Sequence, residues 1–281
     1  MQRALFLCAL VSVLSVIFIT VFIFSQGLPV FRGVTPGEFL FGTRWQPTST
    51  TDPRYEIFSF IVGSFFVTGM ALGIGVPVGL AGGIFLAEIA STNLVRVLRP
   101  MVELLAGIPS VVYGFFGAVF ISRAVRDVLG GTGYSVLAAA LILAIMMLPT
   151  IITITDASLR GVSQEYREAS FAIGATRAQT IVRALLPSAR AGIISGIVLA
   201  VGRAMGETMA VLMVGGNAPI MPTGPLSKVR TLTMNIVTDM GYASGFHLTA
   251  LFATGMVLFV VIMAVNFSVM LITRGTRARH A

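Results

Sequence analysis

Long uncharged apolar runs, separated by short polar gaps, dominate the chain. They cover Ala4–Phe24, Ile57–Ala87, Leu104–Ser122, Tyr134–Thr155 and Leu248–Thr273, and a sixth, Ala191–Gly216, is interrupted by Arg203 and Glu207. A helix rises about 1.5 Å per residue, so about 20 apolar residues cross a hydrocarbon core about 30 Å thick. The pattern predicts an all-α, polytopic membrane protein with six spans. The second run exceeds one straight crossing and is expected to tilt, to bend at Pro77, or to continue past the bilayer surface. The first run is longer than the ~7–15 residues of a signal-peptide core. No small-x-small cleavage pattern follows at Ser25–Gln26–Gly27, so it reads as a retained anchor.

Composition sharpens this picture. Of the 281 residues 56% are hydrophobic and 11% charged, against about 25% charged in soluble domains, so lipid is the expected solvent. The net charge of +8 would suit nucleic acid on a soluble surface. Here the cations are arginines apart from Lys228, and they sit mostly in short gaps between runs, the pattern of topology determinants rather than of a nucleic-acid groove. Six spans put both termini on one side. With that side cytoplasmic, Arg3, Arg96, Arg99, Arg160, Arg167, Arg177, Arg183, Arg190, Arg274, Arg277 and Arg279 lie inside. Arg32, Arg44, Arg54, Arg123, Arg126, Lys228 and Arg230 lie outside, with Glu38, Asp52, Glu56, Asp127 and Asp239 to balance them. The inside excess favours cytoplasmic termini. Residues 1–56 then form an anchor and an external loop, and 57–281 a core with its longest inside loop at 156–190. A lone cysteine, Cys8, permits no internal disulfide, and His247 and His280 stand far apart, so no metal or cofactor is expected. Glycines four apart (Gly69/Gly73, Gly75/Gly79, Gly79/Gly83, Gly192/Gly196) mark the second and fifth spans as central in the bundle.

The inside loop carries the most specific pattern: Glu168–Ala169–Ser170, three residues, Gly174, nine residues, then Ala184 and Leu186–Pro187. Gln164–Ile173 holds good helix formers with a small apolar face at Ala169, Ala172 and Ile173. Gly174 can stop that helix in a left-handed conformation, and a second helix begins near Thr176. This resembles the coupling signature of ABC-importer permeases, with Ser170 in place of an alanine and Ala184 in place of an isoleucine. Two further stretches, Glu103–Gly114 (ELLAGIPSVVYG) and Gly202–Val211 (GRAMGETMAV), narrow the resemblance to the phosphate-specific transport permeases of the C type, from about Phe58 to the C-terminus. The resemblance implies a type I, MetI-like architecture in a bacterial inner membrane. It implies coupling to ATPase subunits through Glu168, Ala169, Ser170, Gly174 and Pro187, and as partners a homologous A-type permease, a dimer of ATP-binding subunits and an external phosphate-binding protein. The chain has no P-loop of its own, because its single lysine, Lys228, lies between Ser227 and Val229.

Arg203 lies roughly 20 Å into a helix entering from the cytoplasm. A central arginine costs about 2.5–3.5 kcal/mol to insert, so it should face a cavity, a bundle interior or a partner. Glu207, four residues on, is expected on the same helical face. The two are either a structural ion pair or part of an anion path, where a fixed planar charge suits phosphate and an adjacent carboxylate weakens the grip. Gly107 and Pro109 interrupt the third run as either a gate hinge or a static kink. The proline-rich Asn217–Pro225 stretch is a candidate contact for the external binding protein, or a plain connection. A permease for sulfate or molybdate fits the same pattern. An ion-coupled secondary transporter would leave Glu168–Pro187 unexplained.

Overall fold

The computed structural model describes residues 2–277, with side chains over 5–268. Arg279 and His280 lie outside the described residues, as do the side chains of Arg3, Arg274 and Arg277. In chain order the helices are α1 (Gln2–Gly27), α2 (Pro36–Phe41), α3 (Phe58–Ile84), α4 (Thr92–Gly107), α5 (Ser110–Phe116), α6 (Ser122–Leu129) and α7 (Val136–Arg160). There follow α8 (Gln164–Ala172), α9 (Arg177–Thr180), α10 (Leu186–Gly206), α11 (Met209–Val214), α12 (Leu232–Met240) and α13 (Gly245–Arg277). A two-residue antiparallel ribbon, β1 (Trp45–Gln46) and β2 (Arg54–Tyr55), pairs Trp45 with Tyr55.

Five helical stretches have the length and apolarity to cross a bilayer: Leu5–Arg32, Phe58–Ile89, Val136–Arg160, Arg177–Gly206 and Gly245–Ser268. The second continues helically through Pro77 and ends in a π turn at Phe85–Ile89. The third run departs from the expectation of a single span, because α4 and α5–α6 meet at 96°. Pro109 has no N–H to continue the α4 ladder and forces the residue before it out of the helical region. Ile108 accordingly sits at φ −68°, ψ 128°. The fifth run also departs from expectation: its helix starts earlier, at Arg177, and stops at Gly206, with Glu207 extended at φ −69°, ψ 133° before the short α11.

The contacts divide the chain into two compact units, residues 1–64, 217–222 and 229–261, and residues 65–216, 223–228 and 262–281. The first has an aromatic and aliphatic core of Val30, Phe39, Trp45, Tyr55, Ile57 and Phe60 packed with Leu232 and Leu251. Gly27 lets the end of α1 lie against α13, where a Cβ would stand 3.0 Å from the Ala253 backbone. The second unit is built around α7, buried from Val136 to Leu159 on nearly every turn. Gly75, Gly79 and Gly83 of α3 face Ala144, Ile151 and Thr155 of α7, and Gly192 and Gly196 of α10 face Ser158 and Ile154. Gly69 and Gly73 have open space in front of them, so the sequence repeat is a packing seam over only part of its length.

This seam generates a contrast. A Cβ at Gly79 would meet Ile151 at 2.7 Å, whereas a Cβ at Gly73 would meet nothing within 4 Å. Gly79→Leu should destabilise the purified chain in detergent by about 1–3 kcal/mol through overpacking. Gly73→Leu should leave its thermal unfolding unchanged.

Candidate functional site

The loop pattern folds as its residues dictate. Ser163 caps α8, its hydroxyl accepting from the Glu165 N–H at 3.4 Å. Gly174 follows at φ +81°, a left-handed conformation that costs a residue with a side chain about 1–2 kcal/mol. Thr176 and Gln179 then form a reciprocal capping box at the start of α9. Ser170, which replaces alanine in the resembled signature, hydrogen-bonds Thr180 at 2.9 Å and ties α8 to α9. Pro187 has a structural reason for its place. A proline one turn into a helix removes a hydrogen bond and crowds the carbonyl four residues back. The chain answers with a π turn at Ile181–Leu185, in which the Leu186 N–H bonds the Ile181 carbonyl five residues back, and α10 starts beside Pro187.

The same loop is fixed to the bundle by charges that the sequence analysis left in gaps between spans. Glu88, in the π turn after α3, pairs with Arg167 of α8 at 2.6 Å, the two side chains 10% and 15% exposed. Arg167 also donates to the Val162 and Leu159 carbonyls at 2.9 and 3.0 Å, and Arg177 donates to the Glu88 carbonyl. Asp156 of α7 pairs with Arg99 of α4 at 2.6 Å and with Arg160 at 2.7 Å, and Arg160 reaches the Leu86 carbonyl at 2.8 Å. Beneath this frame Leu159, Ile181, Leu185, Ala189 and Ile193 form a closed apolar cluster. A polar pair separated by some eighty residues gives no local signal, which is why Glu88 was missed. Asp156–Arg160 at i, i+4 was the one legible part.

With its inner side so held, the outer side of the element is bare. Glu168 and Ala169 are exposed, as are Tyr166 (54%), Phe171 (50%) and Ile173 (85%). A groove of about 610 Å³ runs between α8 and α9, lined by Tyr166, Ala169, Ile173, Gln179, Arg183 and Ala184. Exposed apolar side chains rimmed by polar ones mark a protein contact.

The second set of sequence-selected residues converges on two helix breaks. α5 and α11 pack in parallel, Gly114 against Ala210 and Gly117 against Val214, which sets the Pro109 end of one beside the Glu207 end of the other. Tyr113, not singled out in the sequence, is buried there and donates to the Leu105 carbonyl at 2.8 Å, pinning the 96° bend. Arg203 is exposed in the last turn of α10. Glu207 is the C-cap of α10, its N–H bonded to the Ala204 carbonyl and its backbone turning extended at ψ 133°, and its Oε1 accepts from the Thr208 and Ala210 N–H groups at 3.1 and 3.3 Å, capping α11. Among the described residues no group of three or more His, Cys, Asp or Glu could hold a metal ion.

Comparison with known proteins places this geometry. Residues 79–278 match the family described as binding-protein-dependent transport system inner membrane component. The probable ABC transporter permease protein YqgH of Bacillus subtilis is 42% identical, over 90% of this chain and 83% of its own length. The phosphate transport system permease protein PstC of Mesorhizobium japonicum is 34% identical, over 80% and 74%. A chain of the MetNI methionine ABC transporter, solved in inward facing conformations, shares the fold with a TM-score of 0.60 at 22% identity, over 78% of this chain and 94% of that one. The all-α polytopic architecture expected from the apolar runs is therefore that of a multi-pass membrane permease, and the chain belongs to the family of inner membrane components of binding-protein-dependent transport systems.

Proposed function

We propose that this chain is one half of the membrane channel of an ATP-driven phosphate importer, a transport component and not an enzyme. An A-type permease supplies the other half, a pair of ATP-binding subunits drives it, and an external binding protein delivers phosphate. Both termini are cytoplasmic, which puts the α8–α9 element on the ATPase side. Its exposed apolar side chains fit a cleft of an ATPase subunit, and its rigid inner frame passes displacement to α7 and α10 without dissipating it in the loop. Gly174 sets the angle of the element and Pro187, with its π turn, sets where the drive enters α10.

The observation that carries the anion assignment is Arg203, an exposed guanidinium in the long apolar stretch that follows Arg190 in α10. In lipid that position is costly, so its environment in the assembly is a water-filled path or a partner subunit. A guanidinium keeps its charge at any physiological pH and presents a fork that fits phosphate oxygens. Glu207 sits one broken turn away, so the anion meets attraction and repulsion in succession and is not trapped. Gly107–Pro109 and Glu207–Thr208 are adjacent points of low helical continuity, suited to act as a gate hinge beside the path. The names of relatives such as the Mesorhizobium protein support phosphate among the oxyanions.

Radiolabelled phosphate uptake, in cells lacking their own high-affinity importer and expressing this chain with its partners, tests the reading. Uptake should require both this chain and the ATPase and should ignore excess sulfate and molybdate. Arg203→Ala should lower uptake at least about tenfold at unchanged expression, and Arg203→Lys, which keeps charge but loses the fork, by less. Inhibition by sulfate or molybdate would move the assignment to another oxyanion.

The coupling element makes a separate prediction. Gly174→Ala meets no steric neighbour, so its effect is backbone strain alone, about 1–2 kcal/mol. It should raise hydrogen exchange across α8 and lower phosphate transported per ATP hydrolysed, with Arg203-dependent binding untouched.

A further inference from the structure

The 96° bend between α4 and α5 deprives one backbone group of its usual partner. In a continuous helix the Leu105 carbonyl would accept from the N–H of residue 109, and Pro109 has none. The Ile108 N–H reaches that carbonyl only at 3.4 Å, beyond the ~2.7–3.2 Å of a good N–H···O bond. The Tyr113 hydroxyl donates to it at 2.8 Å, from a side chain 6% exposed. Tyr113 thus supplies the donor that the proline takes away.

That bond depends on the bend. Eight residues separate donor from acceptor, and a straight helix rises about 12 Å over them, more than a tyrosine side chain spans as it leans back along the helix. The bond is therefore lost as α4 swings toward the line of α5. The two arms of the bend are also held unequally. α5 is packed tightly on α11: a Cβ at Gly114 would stand 3.0 Å from the Ala210 backbone, and one at Gly117 would stand 2.8 Å from the Val214 side chain. α4 has no buried residue, and Arg99, which ties it to Asp156 of α7, is 40% exposed. Between the arms, Gly107 has open space where a Cβ would stand. α4 is the arm that can move, and the Tyr113 ring is anchored on the arm that cannot.

We propose that the Tyr113 hydroxyl is the latch of this hinge, a positioning residue whose bond to the Leu105 carbonyl is broken and remade as α4 swings during transport. The inference rests on the reading of Gly107–Pro109 as a gate hinge given above. Only a contact made in one setting and lost in the other can bias the balance between the two, and this hydrogen bond is of that kind.

The assembled importer in lipid nanodiscs provides the test. Spin labels on Asn93→Cys at the start of α4 and on Val128→Cys in α6, both exposed, report the bend by double electron–electron resonance in a Cys8→Ser background. Straightening lengthens the distance between them. With Tyr113 present, a short distance should prevail in one of two states, nucleotide-free or trapped with ATP and vanadate, and a longer one in the other. Tyr113→Phe keeps the ring and loses the hydroxyl. In the state where the short distance prevails, it should raise the ratio of long to short about two- to tenfold. Pro109→Ala should act in the same direction, because residue 109 then regains an N–H for the Leu105 carbonyl, and it reads the same bond without touching Tyr113. Distances in Tyr113→Phe that match the wild type in both states overturn the latch and leave the hinge standing. A single distance throughout in the wild type overturns the hinge reading and the latch with it. Neither result bears on the anion, which the Arg203 uptake assay judges.

Discussion

Helix α7 is buried on nearly every side only because its neighbours yield to it. Two helices approach closely in lipid through van der Waals contact rather than by expelling water, so what they can bury depends on how near their backbones come. Gly75, Gly79 and Gly83 on one side and Gly192 and Gly196 on the other bring α3 and α10 against the Ala, Ile and Ser surface of α7. That contact fixes the ends of both neighbours. The π turn after α3 then stands where Glu88 can meet Arg167, and the start of α10 stands where Leu185 and Ala189 can close over Leu159. The geometry of the α8–α9 loop is therefore a consequence of the glycine seam as much as of its own sequence.

The charges at that end serve the same purpose by different means. Arg99 and Arg160 share Asp156, and Arg167 and Arg177 share the Glu88 residue through its side chain and carbonyl. A pair as shielded as Glu88–Arg167 contributes little to net stability, yet removing one partner costs about 3–5 kcal/mol because the other charge is left uncompensated. Such an arrangement resists partial loosening, the property a lever needs. The apolar cluster beneath supplies cohesion and the ion pairs supply a unique geometry.

Much of this was legible in the sequence where the signal is local. The six apolar runs, the left-handed Gly174, the helix restart at Thr176 and the Leu186–Pro187 terminus all follow from residues within a few positions of each other, and the helices lie where those residues put them. The failures have one physical origin. Hydropathy registers that Leu104–Ser122 and Ala191–Gly216 are apolar but not that backbone hydrogen bonding stops inside them. Pro109 is the visible mark of the first break and announces a kink or hinge there, but not its 96° angle. The second break, at Glu207, has no proline to announce it. Glu88–Arg167 and Asp239–Trp45, each joining distant parts of the chain, left no trace at all.

The two breaks also explain why an arginine is tolerable at this depth. Unpaired backbone at membrane depth is acceptable only where protein or water satisfies it, so a break is itself evidence of a lined interior rather than a lipid-facing wall. Glu207 turns back to meet N–H groups freed at the start of α11, and Tyr113 covers the carbonyl freed at the end of α4. Arg203 stands in the last turn before one break, and the packing of α5 on α11 sets that break beside the other.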